Sequence, residues 1–279
     1  MQIIERRKWF YLLSLIIIIP GLISLAYQGL NLGIDFKGGS ILHVKMEESI
    51  QVQDVRSALV DLNLENSEVQ KGGDEFYIRT IELDQEQNRE LQGTLKDNFG
   101  KVEFLGSESV GAAIGSELTR NALFALLIAT ALMLVYITVR FEWAFGIAAV
   151  IPIIHNVLIV LGVFSIFQWE VSSSFIAAIL TVIGYSINDT IIIFDRVREN
   201  MRLKLKVDRI TLLNKSIMQT LNRSINTVLT STFALIALLL FGGTTIKIFI
   251  LAMLIGFISG AYSSIFIASP ILYEIKNKA

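Results

Sequence analysis

SFIAAILTVIGYSINDTIIIF, running from Ser174 to Phe194, decides the architecture of this chain. It is long enough to cross a bilayer core, which takes about 20 apolar residues of helix. Yet it holds Asn188 and Asp189 in its interior, and it ends on the charged run Asp195-Arg196-Val197-Arg198-Glu199-Asn200. An ionisable group in hydrocarbon costs about 2.5 to 3.5 kcal/mol on insertion scales, so Asp189 calls for a partner or a task. Counted inward from Asp195 at about 1.5 Å per residue, Asp189 lies about 9 Å below the charged end. Thr181, Gly184, Tyr185 and Asn188 recur at three- and four-residue spacings, giving a face of polar and small residues able to line a hydrated crevice.

Outward from this stretch the same solvent argument repeats. The chain has 279 residues, 53% of them hydrophobic, and a mean hydropathy of +0.60, more apolar side chain than one soluble core needs. Five further spans are predicted: Trp9 to Tyr27, Leu118 to Val139, Trp143 to Phe167, Asn226 to Phe241 and Ile246 to Ala268. The first follows Arg6, Arg7 and Lys8 but is longer than a signal-peptide core and lacks a small-residue cleavage site, so it reads as a retained anchor. Pro20, Pro152 and Pro270 fall within or at the ends of spans and are expected to kink the helices without breaking them. In the last span Ala252, Gly256, Gly260 and Ser264 form a small-residue stripe suited to close helix contact.

Lysine and arginine in short loops favour the cytoplasmic side. Arg6, Arg7 and Lys8 place the N-terminus inside. Arg196, Arg198, Arg202, Lys204, Lys206, Arg209 and Lys215, against Glu199 and Asp208, do the same for a basic loop expected over 196–222. Six spans return the C-terminus, with Lys276 and Lys278, to the same side. The chain therefore divides into an N-terminal segment with the first span (1–28), an outside domain (29–117) and a block of five spans (118–279).

In the outside domain Leu42, Val44 and Met46 alternate with polar residues as in a strand, while Val52, Val55, Leu59 and Leu62 take helical spacing. Ser67 to Gln70 and Phe76 to Ile81 form two strands about a turn at Lys71-Gly72-Gly73-Asp74. Leu91, Leu95 and Phe99 mark a second helix, and Val102 and Phe104 a last strand. The order β-α-β-β-α-β is the α+β ferredoxin-like pattern. Its acids are scattered as on a solvated surface, and a lone His43 on an outward face does not make a metal site.

Several chemistries are excluded or unsupported. With no cysteine there is no disulfide or thiolate site. No G-x-x-x-x-G-K-[ST] phosphate loop occurs, and no nucleophile is matched to a base. A net charge of -1 gives no ground for nucleic-acid binding. No enzyme activity, cofactor or metal is expected. Inside the membrane, Arg223 at the entrance of the fifth span, followed on one face by Asn226, Thr227 and Thr230, is the expected partner of Asp189. A carboxylate beside a guanidinium stays ionised, whereas apolar burial favours the protonated form; movement between two such settings would make Asp189 a proton-coupling device. Spacing alone leaves open a static ion pair, or an arginine extended to the interface. His155, with Asn156 beside it in the third span, could relay protons or remain neutral with one hydrogen bond to a neighbouring helix.

Two segments, Gly33-Ile34-Asp35-Phe36-Lys37-Gly38-Gly39-Ser40 and Gly184-Tyr185-Ser186-Ile187-Asn188-Asp189-Thr190 through Asn200, together with Leu221-Asn222-Arg223-Ser224-Ile225-Asn226-Thr227, resemble the SecF branch of the SecD/SecF protein-export family over essentially the whole chain. The resemblance implies half of a resistance-nodulation-division (RND) type transporter, six helices that pair with six from SecD. It implies use of the proton motive force to help preproteins across the inner membrane after the SecYEG channel and the SecA motor, with the periplasmic domain meeting unfolded preproteins. Asp189 and Arg223 match the family's intramembrane acid and base, with Asn188 and His155 beside the same pathway. Gly33, Asp35, Phe36, Gly38, Gly39, Asp195, Arg196, Arg198 and Glu199 match its motifs. Family members often carry His-Asp where this chain has His155-Asn156. On the residues, Gly38 and Gly39 allow positive φ or close backbone approach, and Asp35 is a turn-former. A non-conducting scaffold subunit and half of an RND small-molecule efflux pump are the competing classes.

Overall fold

The computed structural model describes residues 2–203, 207–243 and 246–278; Lys204 and Lys206, and the side chain of Lys278, lie outside the described residues. In chain order the elements are α1 (Arg7–Tyr27), α2 (Ile34–Lys37), β1 (Gly39–Lys45), α3 (Val52–Leu59), β2 (Glu68–Gly72), β3 (Glu75–Thr80), α4 (Gln85–Phe99), β4 (Glu103–Val110), α5 (Ala112–Arg140), α6 (Trp143–Phe167), α7 (Ser173–Arg202), α8 (Arg209–Phe241), α9 (Lys247–Ser263) and α10 (Ser269–Lys278). A π turn, Ser264–Ala268, joins α9 to α10 as one continuous span. Six helices among the described residues are long and apolar enough to cross a membrane. The chain separates into two compact units, one of Leu32–Leu123 and the other of the residues on either side of it.

Leu32–Leu123 contains the β-α-β-β-α-β order, preceded by the single turn of α2. Its sheet is antiparallel in the order β2-β3-β1-β4. Leu42 and Val44 of β1 and Phe76 and Ile78 of β3 face Val55, Leu59, Leu91 and Leu95 of the two helices, and these side chains are buried together. Each contributes about 1.5 to 3 kcal/mol. Helix α4 starts where Asp84 Oδ1 accepts from the Gln87 amide at 2.8 Å and Gln87 Oε1 accepts from the Asp84 amide at 3.0 Å, a capping box. Across the β2–β3 hairpin end, Lys45 lies 2.9 Å from Asp74 and, by that hydrogen bond, holds the Asp74 carboxyl below the usual carboxylate range.

In the other unit α6, α7 and the last helix are central, each with half or more of its apolar window buried, while α1, α5 and α8 keep long apolar faces open. Small residues set the closest approaches. A Cβ built on Gly21 of α1 would lie 2.8 Å from the Gly162 backbone of α6, and the reverse holds equally. The small-residue stripe packs on α7: a Cβ on Gly256 would strike Val182, one on Gly260 would sit 3.3 Å from Ser186, and Ala252 and Ser264 are fully buried. Pro20 and Pro152 lie inside unbroken helices. Pro270 offers no N–H to the carbonyl one turn earlier, and the π turn sits at that place in the ladder.

The basic segment expected as a loop over 196–222 is mostly helix. α7 continues to Arg202 and α8 begins at Arg209, where Asp208 Oδ2 accepts from the Thr211 amide at 3.2 Å. The physical reason is an apolar face hidden among the charges: Val197 on α7, and Leu212, Leu213 and Ile217 on α8, are all buried. Helix α7 thus runs past the expected end at Phe194 and α8 begins well before the expected Asn226; α5 also begins before the expected Leu118, at Ala112.

Candidate functional site

Asp189 is buried within α7, 5% exposed, and its direct partner is a hydroxyl: Ser224 Oγ on α8 donates to Asp189 Oδ1 at 2.7 Å. The other oxygen, Oδ2, is buried with no hydrogen-bond partner among the described residues. The expected Asp189–Arg223 ion pair is not formed at contact distance. Arg223 is the residue before Ser224, and one step along a helix turns a side chain by about 100°. Ser224, 1% exposed, therefore faces the acid, while Arg223 lies on the open side of α8, near enough for its charge to act on the carboxylate. Asn188 is exposed, about 100° around α7 from Asp189. Tyr185, one turn before Asp189, stacks on Phe257 of α9 with ring centroids 3.9 Å apart.

His155 and Asn156 are buried in the same bundle. His155 Nε2 and Ser14 Oγ of α1 are 2.9 Å apart, and His155 Nδ1 lies 3.1 Å from Asn156 Oδ1. Asn156 Nδ2 donates to Ser186 Oγ at 2.7 Å. The Ser186 carbonyl accepts from Thr190 Oγ1 and from Ser264 Oγ, each at 3.1 Å, and those two hydroxyls are 2.8 Å apart. Both ring nitrogens of His155 are thus engaged, one more hydrogen bond than the neutral reading required. The polar contacts cross from α1 through α6 and α7 to the π turn of the last span.

The sequence reading passes over Ser14, quotes Ser186 and Ser224 only within motif segments, and gives Ser264 only a packing role, so it misses all four as polar partners. Serine in a membrane helix carries no large insertion penalty, so it raises no flag by itself. The available signals were the four-residue spacing of Ser186 and Thr190 and the place of Ser224 beside Arg223.

The remaining motif residues fall at two other places. In Leu32–Leu123, Gly33 precedes α2, which carries Asp35 and Phe36, and Gly38 and Gly39 follow at φ +76° and +134°. A Cβ on Gly39 would lie 2.6 Å from the Thr80 carbonyl oxygen, and one on Gly38 would lie 3.0 Å from Ala112 Cα. Both glycines therefore meet the expected positive φ and close approach, which let β1 enter the sheet directly from α2. At the charged end of α7, Arg140 lies 3.7 Å from Asp195, Arg196 donates to Glu199 at 2.8 Å, and Arg198 donates to the Arg140 carbonyl at 3.1 Å. Arg140 and Arg198 also both lie over the Phe141 ring. These contacts tie α7 to the α5–α6 turn. Among the described residues no three His, Asp or Glu side chains converge to hold a metal.

The model of the SecD/SecF protein export membrane protein C-terminal region matches residues 90–278, and that of the SecD/SecF GG motif matches residues 23–50, which include Gly38 and Gly39. The protein translocase subunit SecF of Sebaldella termitidis is 38% identical, over 99% of this chain and 92% of that protein. That of Thermobaculum terrenum is 41% identical, over 99% and 94%. Among solved structures, SecDF of Thermus thermophilus, described as a translocon-associated membrane protein, superposes with a TM-score of 0.93 at 35% identity; this chain is covered over 99% of its length and spans 39% of that longer one. Six helices long and apolar enough to cross a membrane, a four-stranded sheet unit with two constrained glycines, and matches along nearly the full length agree: this chain belongs to the SecD/SecF family of protein export membrane proteins.

Proposed function

We propose that this chain is the SecF-type subunit of a protein translocase, and that it couples the proton motive force to preprotein movement through Asp189. The observation that carries the coupling is a buried carboxyl group within the bundle that has, among the described residues, one hydroxyl donor and one oxygen without a hydrogen-bond partner. A buried, unpaired charge is costly, so this setting suits the proton-loaded acid, and exchange of Ser224 for the neighbouring Arg223 would suit the ionised one. Rotation or tilt of α8 against α7 would link proton release to a change of shape. The subunit makes no covalent product; it works by moving helices and the outside domain.

The match to a longer SecDF chain supports a SecD counterpart that closes the open faces of α5 and α8. In this reading the chain sits in the inner membrane with both termini cytoplasmic, beside the SecYEG channel and SecA. The periplasmic domain meets unfolded preproteins as they emerge. The deciding experiment is Asp189→Asn in cells lacking the native copy, following release of a pulse-labelled secreted protein while checking that the variant still assembles. Asparagine keeps the shape and removes the titratable group. Collapse of release with normal assembly supports coupling; unchanged release overturns it and leaves a scaffold subunit.

A further inference from the structure

The basic helix ends enclose a cavity of about 290 Å³. Val197 of α7, Leu212 and Leu213 of α8 and Leu272 of α10 make its floor, and Arg209 and Lys276 stand at its mouth. We infer that this cavity binds an anionic phospholipid, the floor taking the first methylenes of an acyl chain and the two cations the phosphate. The proposal is independent of proton coupling.

Depth is the first argument. Only Phe141 and Glu142 separate α5 from α6, so this turn marks an edge of the bilayer, and the exposed Trp143 beside it is the residue type that favours that interface. Lys276 Nζ lies 2.8 Å from Glu142 Oε2, which sets the mouth of the cavity at headgroup depth.

Charge is the second. Glu142 meets the Lys276 ammonium, while the Arg209 guanidinium donates to the Lys276 carbonyl. Among the described residues no carboxylate forms an ion pair with Arg209, so the mouth keeps an uncompensated positive charge.

The apolar floor then selects among anions. Inorganic phosphate would meet Arg209 and leave the floor in water. A zwitterionic lipid would fill the floor and bring its own ammonium to a cationic mouth. An anionic lipid satisfies both surfaces, as basic pockets between membrane helices do elsewhere. The volume is at the small end for ligand pockets, enough for the glycerol end of one lipid.

The test is lipid retention by the full chain, purified with its partner chain in neutral detergent and titrated with dioleoylphosphatidylglycerol or dioleoylphosphatidylcholine, with bound lipid counted by native mass spectrometry. The glycerol lipid is expected to bind preferentially. Arg209→Gln should weaken it about fivefold, the worth of one cation at a membrane surface. Arg202→Gln, which removes the same charge from the end of α7 outside the cavity, should change it less than twofold. Val207→Trp, which bulks the exposed rim without altering charge, should also weaken binding. Equal retention of the two lipids, equal loss in the two arginine variants, or unchanged binding in Val207→Trp would each overturn the proposal, the second outcome assigning retention to general surface charge.

Discussion

At the scale of single residues, the neighbourhood of Asp189 turns on which of two consecutive side chains faces it. Ser224 is the donor observed, at 2.7 Å. Ser224→Ala removes the only hydrogen bond to the carboxyl among the described residues and is expected to slow preprotein release about tenfold, a loss comparable to one buried hydrogen bond. Ser224→Thr keeps the hydroxyl and should restore most of it. Assembly with the partner chain measured in parallel separates this from misfolding, and full activity of the alanine variant would remove Ser224 from the coupling site. Asp189 itself was legible in the sequence because a charge in an apolar run is conspicuous by its cost. Ser224 was not, because a hydroxyl in a helix is nearly free and its direction depends on helix phase. The expected Arg223 contact missed by one residue, about 100° of rotation, and burial of Leu212, Ile217 and Ser224 on one face of α8 is what decides that phase. Such packing is a property of three helices together, and no spacing rule within α8 contains it.

At the scale of elements, glycine contacts fix where the backbones meet. Gly162→Leu would drive a side chain into the backbone of Gly21, so α1 has to move away from α6. The expected loss is about 3 kcal/mol, at the upper end for overpacking, read as a lower melting temperature in detergent. In the sheet unit, Gly39→Ala meets two obstacles, φ +134° and the Thr80 carbonyl 2.6 Å away. A loss of about 1 to 3 kcal/mol is expected from the backbone strain alone, seen as faster proteolysis of the β1–β3 pair. Proteolysis at the parent rate would show that the strand can start without this turn. Strand alternation, helical spacing and the Gly72-Gly73 turn carried the ferredoxin-like order into the sequence reading, since each is a local pattern. The single turn of α2 escaped because four residues are too few to show a period. The extent of α7 and α8 escapes because the charge density over 196–222 reads as loop, although Leu212, Leu213 and Ile217 hold a buried apolar face within it.

At the scale of the whole molecule, the proposed coupling requires the sheet-bearing unit to lie on one fixed side of the membrane that the long helices cross, and charge asymmetry is the argument for which side that is. Arg6, Arg7 and Lys8 at the start of α1, the arginines at the end of α7 and Arg209 at the start of α8 gather at one set of helix ends, with Arg7 held 2.9 Å from Glu274 of α10 and the amides of Ile3 and Ile4 donating to Asn214 of α8. The start of the chain and the last helix are thus fastened to the same basic layer, and positive loops stay inside. The unit Leu32–Leu123 follows α1, so the same rule predicts it on the outer side. Because the chain contains no cysteine, single-cysteine variants report sidedness without background. Lys101→Cys, exposed before β4, should react with a membrane-impermeant maleimide in spheroplasts, while Lys215→Cys, exposed on α8, should react only after lysis. The reverse pattern would put the sheet in the cytoplasm and Asp189 nearer the outer face, and the periplasmic role proposed for the sheet would fail. Equal labelling of both before lysis would mean a dual orientation, which a gradient-driven subunit cannot use, because copies facing opposite ways would turn the same proton flow into opposed movements.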